Sequence, residues 1–209
     1  MLAPMSRART RPRTASPDPF DAAYYARFYE NARTRVARPE DTARLARFVW
    51  GYLEHLGVRP KSALDLGCGL GWWRDALRTL APSLRYRGVE RSAHLCEKLG
   101  WEHGSVVDYA GAGADLVICQ GVLHYLDRRE ALGAIATLAR TAKKALYLEV
   151  LTKEDWAHHV DRTRTDGSMS LRPARFYRQA LAPHFVPCGG GLYLPHASPA
   201  VLFELEKGR

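Results

Sequence analysis

The chain has 209 residues, of which 46% are hydrophobic and 25% are charged, and its formal net charge is +9. This composition is typical of a single globular domain and excludes collagen-like, coiled-coil and wholly disordered chains. No run of about 18 apolar residues exists, so the sequence predicts no membrane-spanning helix. No apolar segment follows the basic N-terminus, so it is not a secretory signal, and we expect a cytoplasmic protein with no membrane partner.

The first residues have a composition that disfavours folding. Residues 1–19 combine four arginines and four prolines with serine and threonine, which predicts a disordered basic tail. Residues 20–209 are predicted to form one domain. The other basic residues are scattered along the chain, which disfavours nucleic acid as a partner. The four cysteines lack the spacing of a zinc site, so we predict no bound metal.

The predicted elements begin with two helices and continue as alternating strands and helices. Aromatic residues three to five positions apart predict a helix over 20–38, and Pro39 followed by two acids predicts a second helix over 39–57. Short apolar strands are predicted at 62–66, 86–90, 115–119 and 145–151, with helices at 72–80, 93–99 and 128–141. This alternation indicates an α/β fold whose mostly parallel sheet is covered on both faces.

The end of the chain has a different pattern. A helix is predicted over 173–182, and two extended stretches follow it, one over 185–194 and one over 201–205. Two strands this close in the chain can pair antiparallel, so we expect them to form a C-terminal hairpin.

The most informative segment is a glycine-rich turn after the first strand. Asp65 is followed by three glycines at alternate positions, within Ala-Leu-Asp-Leu-Gly-Cys-Gly-Leu-Gly-Trp-Trp at 63–73. Glycines permit a tight turn and close approach of a ligand to the backbone, and ligands bind at this edge of open parallel sheets. The dinucleotide-binding fingerprint G-x-G-x-x-G would need a glycine at position 72, where this sequence has Trp72, so the segment does not match it. The Asp65 carboxylate would attract a cationic ligand and repel a pyrophosphate.

The D-x-G-x-G-x-G spacing resembles the first motif of the class I S-adenosylmethionine (SAM)-dependent methyltransferases, and the resemblance covers roughly residues 20–209. It implies a Rossmann-like, seven-stranded sheet, mostly parallel with a C-terminal antiparallel hairpin, plus N-terminal helices. It also implies SAM as the cofactor, a cation that carries a sulfonium and an ammonium. Within the loop, the cofactor-binding positions that it implies are Asp65, Gly67, Cys68, Gly69 and Gly71.

A second motif supports the resemblance. Glu90 ends an apolar strand 19 residues beyond Gly71, and an acid at about this distance can chelate both ribose hydroxyls. NAD shares that ribose, so the glycine spacing and Asp65, and not Glu90, disfavour an NAD-dependent oxidoreductase.

The resemblance suggests further cofactor contacts. Gly104 and Ser105 stand where the family has a Gly-Asp pair before an apolar residue, so Ser105 is a departure from that pattern. The acid of the family's pair contacts the adenine amino group, and Ser105 and Val106 are the candidates for the adenine contact here. Gln120 follows the fourth strand, where the family places residues near the transferred methyl. The remaining cofactor candidates are Arg91, Tyr25 and Arg35, the last as a partner for the methionine carboxylate.

Two segments are candidates to cover the acceptor. Aromatic side chains of the first helix attract cations, although packing of that helix against the sheet is the alternative. Residues 152–172 form a long polar stretch after a strand and are predicted to be a substrate lid, with a solvated connecting helix as the alternative. The substrate-binding candidates are Tyr24, Tyr29, Glu149 and Trp156. The catalytic candidates are His124, Tyr125, His158 and His159.

The function expected from these motifs is transfer of the sulfonium methyl to a small-molecule acceptor, as in the biosynthesis of a specialised metabolite. In-line displacement of this kind needs positioning and desolvation more than any one catalytic group. An RNA or protein methyltransferase is the main alternative, with the arginine tail as an electrostatic contact. A SAM-binding protein without methyl transfer is the other. The acceptor atom and the oligomeric state stay open.

Overall fold

The computed structural model describes residues 19–207. The predicted disordered tail at 1–19 lies outside the described residues except for Pro19. Within the described part of the chain, no helix is long and apolar enough to cross a bilayer.

The N-terminal segment contains less helix than predicted. Helix α1 spans Ala22–Tyr25, and the Asp21 side chain caps it by accepting a hydrogen bond from the Tyr24 amide. A π-helical turn, Ala26–Glu30, follows and ends at Asn31. The helix predicted over 20–38 is therefore too long. The Asn31 side chain accepts a hydrogen bond from the Arg33 amide, and such local bonds compete with the continuation of a helix.

Most of the other helices and strands lie close to their predicted positions, but the short strand Glu102–His103 was not predicted. The helices are α2 (Pro39–His55), α3 (Trp72–Leu80), α4 (Ala93–Leu99), α5 (Arg128–Thr141), α6 (Lys153–His158) and α7 (Ala174–Leu181). The strands are β1 (Ser62–Leu66), β2 (Arg85–Glu90), β3 (Glu102–His103), β4 (Ala114–Gln120), β5 (Ala142–Glu149), β6 (Phe185–Gly189) and β7 (Leu192–Pro195). A short 3-10 turn, Leu123–Tyr125, follows β4.

The strands form one seven-stranded sheet in the order β3-β2-β1-β4-β5-β7-β6, and this confirms the predicted fold class. The pairs from β3 to β5 are parallel, whereas β7 pairs antiparallel with both β5 and β6. The hairpin itself differs from the prediction. Three successive glycines at 189–191 have positive φ angles, so the stretch at 185–194 folds back on itself, and residues 201–205 are not a strand.

Alternate residues of the central strands pack against two opposite helical layers. One face, which includes Leu64, Val117 and Leu146, forms a core with α5 and α7. The other face, which includes Ile118 and Tyr147, packs against α2 and α3. Since both faces are covered, polar side chains collect at the carboxyl edge of the sheet.

Candidate active site

A cavity of about 380 Å3 lies at the carboxyl ends of β1, β2, β4 and β5. Most of the predicted site residues line it, and they come from both the sheet edge and the N-terminal segment. These residues are Tyr24, Tyr25, Tyr29, Asp65, Gly67, Cys68, Gly69, Glu90, Arg91, Ser105, Val106, Gln120, His124, Tyr125 and Glu149. Five predicted site residues do not line it: Arg35, Gly71, Trp156, His158 and His159.

The glycine loop needs glycine at two positions for both conformation and space. Gly67 has a φ of 88°, and a Cβ there would come within 2.3 Å of Val122 Cγ2. Gly71 has a φ of 79°, and its Cβ would come within 2.7 Å of the Trp101 ring. Other side chains are strained at such φ angles, so the loop is restricted to a path that leaves its backbone close to the cavity.

Trp101 braces this loop, a role that the sequence did not reveal. Its indole Nε1 donates a hydrogen bond to the Gly69 carbonyl over 2.9 Å. Its ring also lies against Gly88, where a Cβ would meet it at 2.8 Å. Because Trp101 lies about 30 residues from the loop, it reaches the loop through the parallel pairing of β2 with β1 on one side and with β3, which follows Trp101, on the other.

Asp65 is a buried carboxylate, 1% exposed, at the end of β1. The Tyr86 hydroxyl donates a hydrogen bond to its Oδ2 over 2.6 Å. Burial raises the pKa of Asp65, the hydrogen bond from Tyr86 lowers it and the nearby Glu90 charge raises it, so that the pKa of Asp65 is about 7. A cation in the cavity would therefore be stabilised by this carboxylate.

Replacing Asp65 by asparagine is expected to stabilise the free protein and weaken its binding of a cationic ligand. The folded pKa of about 7 lies above the ordinary aspartate value of about 4, so the wild type loses stability as pH rises from about 4 to 7, whereas the variant does not. At pH 8 the gain is about 4 kcal/mol. Urea unfolding of both proteins between pH 4 and 8 measures it. A difference that is independent of pH would contradict the assignment.

Glu90 lies at the end of β2 and is 5% exposed. Its Oε1 accepts hydrogen bonds from the Arg91 and Ser92 amides, and its Oε2 accepts one from the Gly69 amide over 2.8 Å. A carboxylate has about four acceptor positions. Glu90 therefore fixes the glycine loop and keeps acceptor capacity toward the cavity.

Ser105 and Val106 form the wall beyond β3. Val106 is 3% exposed, and the Ser105 hydroxyl accepts a hydrogen bond from the Val107 amide. The hydroxyl proton of Ser105 stays available to a ligand. A planar apolar ring fits against this wall better than a charged group does.

Two polar side chains from neighbouring strands are fixed at the cavity floor. Gln120 Oε1 accepts a hydrogen bond from the Trp73 indole over 2.7 Å, and Gln120 Nε2 donates to Glu149 over 3.2 Å. The Tyr147 hydroxyl also donates to Glu149, over 2.9 Å. These bonds orient both side chains before any ligand binds.

His124 is oriented as a hydrogen-bond donor. Its Nδ1 accepts a hydrogen bond from the Leu151 amide over 3.2 Å, so the neutral ring carries its proton on Nε2. Burial lowers the pKa of His124 to about 4, which keeps the ring neutral at physiological pH. In this arrangement Nε2 donates a hydrogen bond and cannot accept a proton from a substrate.

Aromatic side chains close the cavity from the N-terminal side. The Tyr24 and Tyr125 hydroxyls lie 2.9 Å apart, and the Phe20 ring lies edge-on to both, at 5.1 Å between centroids. The Tyr29 ring packs against Trp72 at 5.8 Å. Burial raises the pKa of Tyr24, Tyr29 and Tyr125 above that of free tyrosine, so all three hydroxyls remain neutral.

The segment over 152–172 reaches the cavity through residues that we did not predict. Thr165, Asp166 and Met169 line it, and the Asp166 carboxylate lies near the Tyr125 hydroxyl, whose pKa is raised by burial and by this charge. The Ser170 amide also donates to the His124 carbonyl over 2.8 Å. The only sequence signal for these contacts was the length and polarity of the segment.

The other predicted residues of this segment have local partners. The Trp156 carbonyl accepts a hydrogen bond from Arg162, whose guanidinium lies 5.4 Å from the Trp156 ring centroid. His158 and His159 are exposed. Within residues 19–207, no group of three or more His, Cys, Asp or Glu side chains is arranged to hold a metal ion.

Comparison with known proteins agrees with this geometry. The profile of the methyltransferase domain family matches residues 28–184, which is most of the chain. The chain belongs to the class I SAM-dependent methyltransferases. SAM is accordingly the cofactor of this methyltransferase. No curated protein sequence matches it significantly.

Solved structures with the same fold are distant in sequence. An O-methyltransferase family protein from Burkholderia thailandensis is 19% identical with a TM-score of 0.53, and the match covers 77% of this chain and 59% of that one. The plantazolicin methyltransferase BpumL, solved with a pentazolic desmethylPZN analog and S-adenosylhomocysteine (SAH), is 14% identical with a TM-score of 0.56, covering 74% and 66%. DesVI from Streptomyces venezuelae is 17% identical with a TM-score of 0.51, covering 78% and 90%.

The residues of the cavity fit SAM. Gly67, Cys68 and Gly69 of the glycine loop line the cavity, so a ligand there can approach the loop backbone closely. The buried Asp65 has no basic side chain within ion-pair distance in the described part of the chain, so it is suited to the positive charge of SAM. Glu90 would hold the ribose hydroxyls, and Ser105 and Val106 would lie beside the adenine.

Proposed function

We propose that this methyltransferase transfers the methyl group of SAM to a small-molecule acceptor enclosed between the N-terminal segment and the lid at 152–172. The observation that carries the proposal is that both segments line the same cavity as the cofactor residues. Phe20 and Tyr24 come from one side, and Asp166 and Met169 from the other. A cavity closed from two sides fits a compact acceptor better than an RNA or a folded protein.

The residues around the cavity act by positioning and by exclusion of water. When bound, SAM supplies an activated methyl group on its sulfonium. The acceptor is held against the aromatic wall of Phe20, Tyr24 and Tyr125, which keeps water away from the reacting atoms. His124 Nε2 and the fixed Gln120 and Glu149 side chains orient its polar atoms, and such positioning supplies much of the catalysis in displacement reactions.

The proposed reaction involves none of four predicted site residues, because they do not line the cavity. These are Arg35, Trp156, His158 and His159. Cytoplasmic localisation and a place in biosynthesis remain proposals as well. BpumL was solved in complex with a pentazolic desmethylPZN analog and SAH, which supports an acceptor in this fold that is neither an RNA nor a folded protein.

Transfer of a tritiated methyl group from SAM tests this function in a cell extract. The extract is separated by ultrafiltration after incubation with the full-length protein. We expect the label in the small-molecule fraction, and about 100-fold less of it with the Glu90→Gln variant when SAM is limiting. Label in RNA or in protein, released by nuclease or protease, would contradict the proposal.

A further inference from the structure

The cavity is acidic although the chain is basic. The formal net charge of the chain is +9. Four carboxylates nevertheless line the cavity, those of Asp65, Glu90, Glu149 and Asp166, against one guanidinium, that of Arg91. His124 adds no charge near neutral pH because burial lowers its pKa to about 4. The lining therefore has the opposite sign to the protein as a whole.

None of these four carboxyl groups is paired with a basic side chain, although Asp65, with a pKa of about 7, is partly protonated near neutral pH. In the part of the chain that the structure describes, the ion pairs within 4.0 Å all involve other acids. The hydrogen-bond donors to the four groups are instead neutral, namely backbone amides, the Gln120 side chain and the hydroxyls of Tyr86 and Tyr147. Uncompensated carboxylates in a partly closed cavity repel one another, and a cationic ligand relieves that repulsion.

Bound SAM would lie beside only two of these four carboxyl groups. Asp65 and Glu90 belong to the cofactor end of the cavity, at the ends of β1 and β2. Glu149 and Asp166 lie at the acceptor end, at the end of β5 and in the lid. Asp166 lies near Tyr125, whose hydroxyl lies 2.9 Å from that of Tyr24.

We infer that the acceptor is an organic amine, which binds as an ammonium ion between the aromatic wall and the carboxylates of Asp166 and Glu149. Aromatic faces and a carboxylate together are the chemistry that recognises an organic ammonium. An anionic acceptor would be repelled, and a neutral alcohol would leave both carboxylates uncompensated. This inference rests on the proposed function, since it names the acceptor class for the same cavity.

Transfer to an amine requires the nitrogen to lose a proton first. The ammonium proton passes to the Asp166 carboxylate, which frees the nitrogen lone pair. That lone pair forms the new bond to the methyl carbon while the carbon–sulfur bond breaks, and the bonding electrons remain on sulfur. The products are a methylated ammonium, neutral SAH and a protonated Asp166, which releases its proton to solvent, so charge and protons balance.

Calorimetry with three probes of one ring system tests the inference. Benzylamine, benzyl alcohol and benzoate are titrated at neutral pH into the full-length protein saturated with SAH. We expect the amine to bind about tenfold more tightly than the alcohol, and benzoate not to bind. Asp166→Asn should remove the preference for the amine and retain SAH binding. Asp161→Asn, a matched change at an exposed position of the same segment, should leave the preference intact.

Three results would overturn the amine inference: equal affinity for amine and alcohol, tighter binding of benzoate, or an unchanged preference in Asp166→Asn. Exclusion of all three probes would also overturn it. These results leave the small-molecule function standing, because that function fails on a separate readout, the appearance of the tritiated methyl group in RNA or protein.

Discussion

The Glu90→Gln variant is expected to bind SAH about 100-fold more weakly than the wild type. Glu90 is the acid that faces the cavity from the end of β2, and a hydrogen bond to a charged acceptor contributes about 1.5–3 kcal/mol. Glutamine has one carbonyl oxygen in place of two carboxylate oxygens. Its NH2 group would therefore face a backbone N–H group that needs an acceptor. Quenching of tryptophan fluorescence measures the affinity, since Trp72 lines the cavity.

Glu97→Gln is the matched control, because Glu97 is exposed on α4 and does not line the cavity. Thermal melting of the two variants without ligand checks that both are folded. Wild-type affinity in a folded Glu90→Gln protein would show that Glu90 does not hold the ribose.

Replacing Arg172 by methionine is expected to lower the free energy of unfolding by about 3 kcal/mol. Arg172 is only 9% exposed and has no ion-pair partner within residues 19–207. Its guanidinium donates to the Leu123 carbonyl over 2.6 Å, to the Leu126 carbonyl over 2.8 Å and to the Tyr177 hydroxyl over 3.1 Å. Methionine fills similar space but leaves these acceptors buried and without their donor.

The loss of the Arg172 hydrogen bonds should also weaken SAH binding, because they connect the end of the lid to the turn that carries His124 and Tyr125. Urea unfolding compares Arg172→Met with Arg175→Met, a change at an exposed position three residues further along. Equal stability of the two variants would show that the Arg172 contacts contribute little to the fold.

Those parts of the fold and site that depend on local pattern could be predicted from the sequence. The glycine spacing after Asp65 and the acid at Glu90 indicated the cofactor edge, because the parallel connection of β1 to β2 fixes their relation. The bounds of α3, α4 and α5 agree with the predictions, since each has clear caps or apolar spacing. For α5, Asp127 and Glu130 form a capping box.

The sequence could not reveal contacts made by residues distant along the chain. Trp101 reaches the glycine loop through strand pairing, and Arg172 reaches the turn after β4 through the return of the lid. Asp166 lies in a polar loop whose sequence resembles any solvated loop. The C-terminal hairpin was misplaced because three glycines at 189–191 turn the chain within a stretch that has strand-like composition on both sides.

The aromatic residues of the N-terminal segment show a second limit. Their spacing predicted one long helix, whereas the chain forms a short helix and a π-helical turn before Asn31. The spacing nevertheless brought Tyr24, Tyr25 and Tyr29 to the cavity, because residues four apart share a face of an α-helix and residues four or five apart share a face of a π-helix. The aromatic side chains of this segment therefore pack against one another and also line the cavity.

The most direct test of the central claim is calorimetric titration of the wild-type protein with SAH and with NAD, side by side. We predict one site for SAH with roughly micromolar affinity and no measurable heat with NAD, because Asp65 faces the ligand where NAD would place its pyrophosphate. Binding of NAD, or of neither ligand, would contradict the assignment of this cavity to SAM.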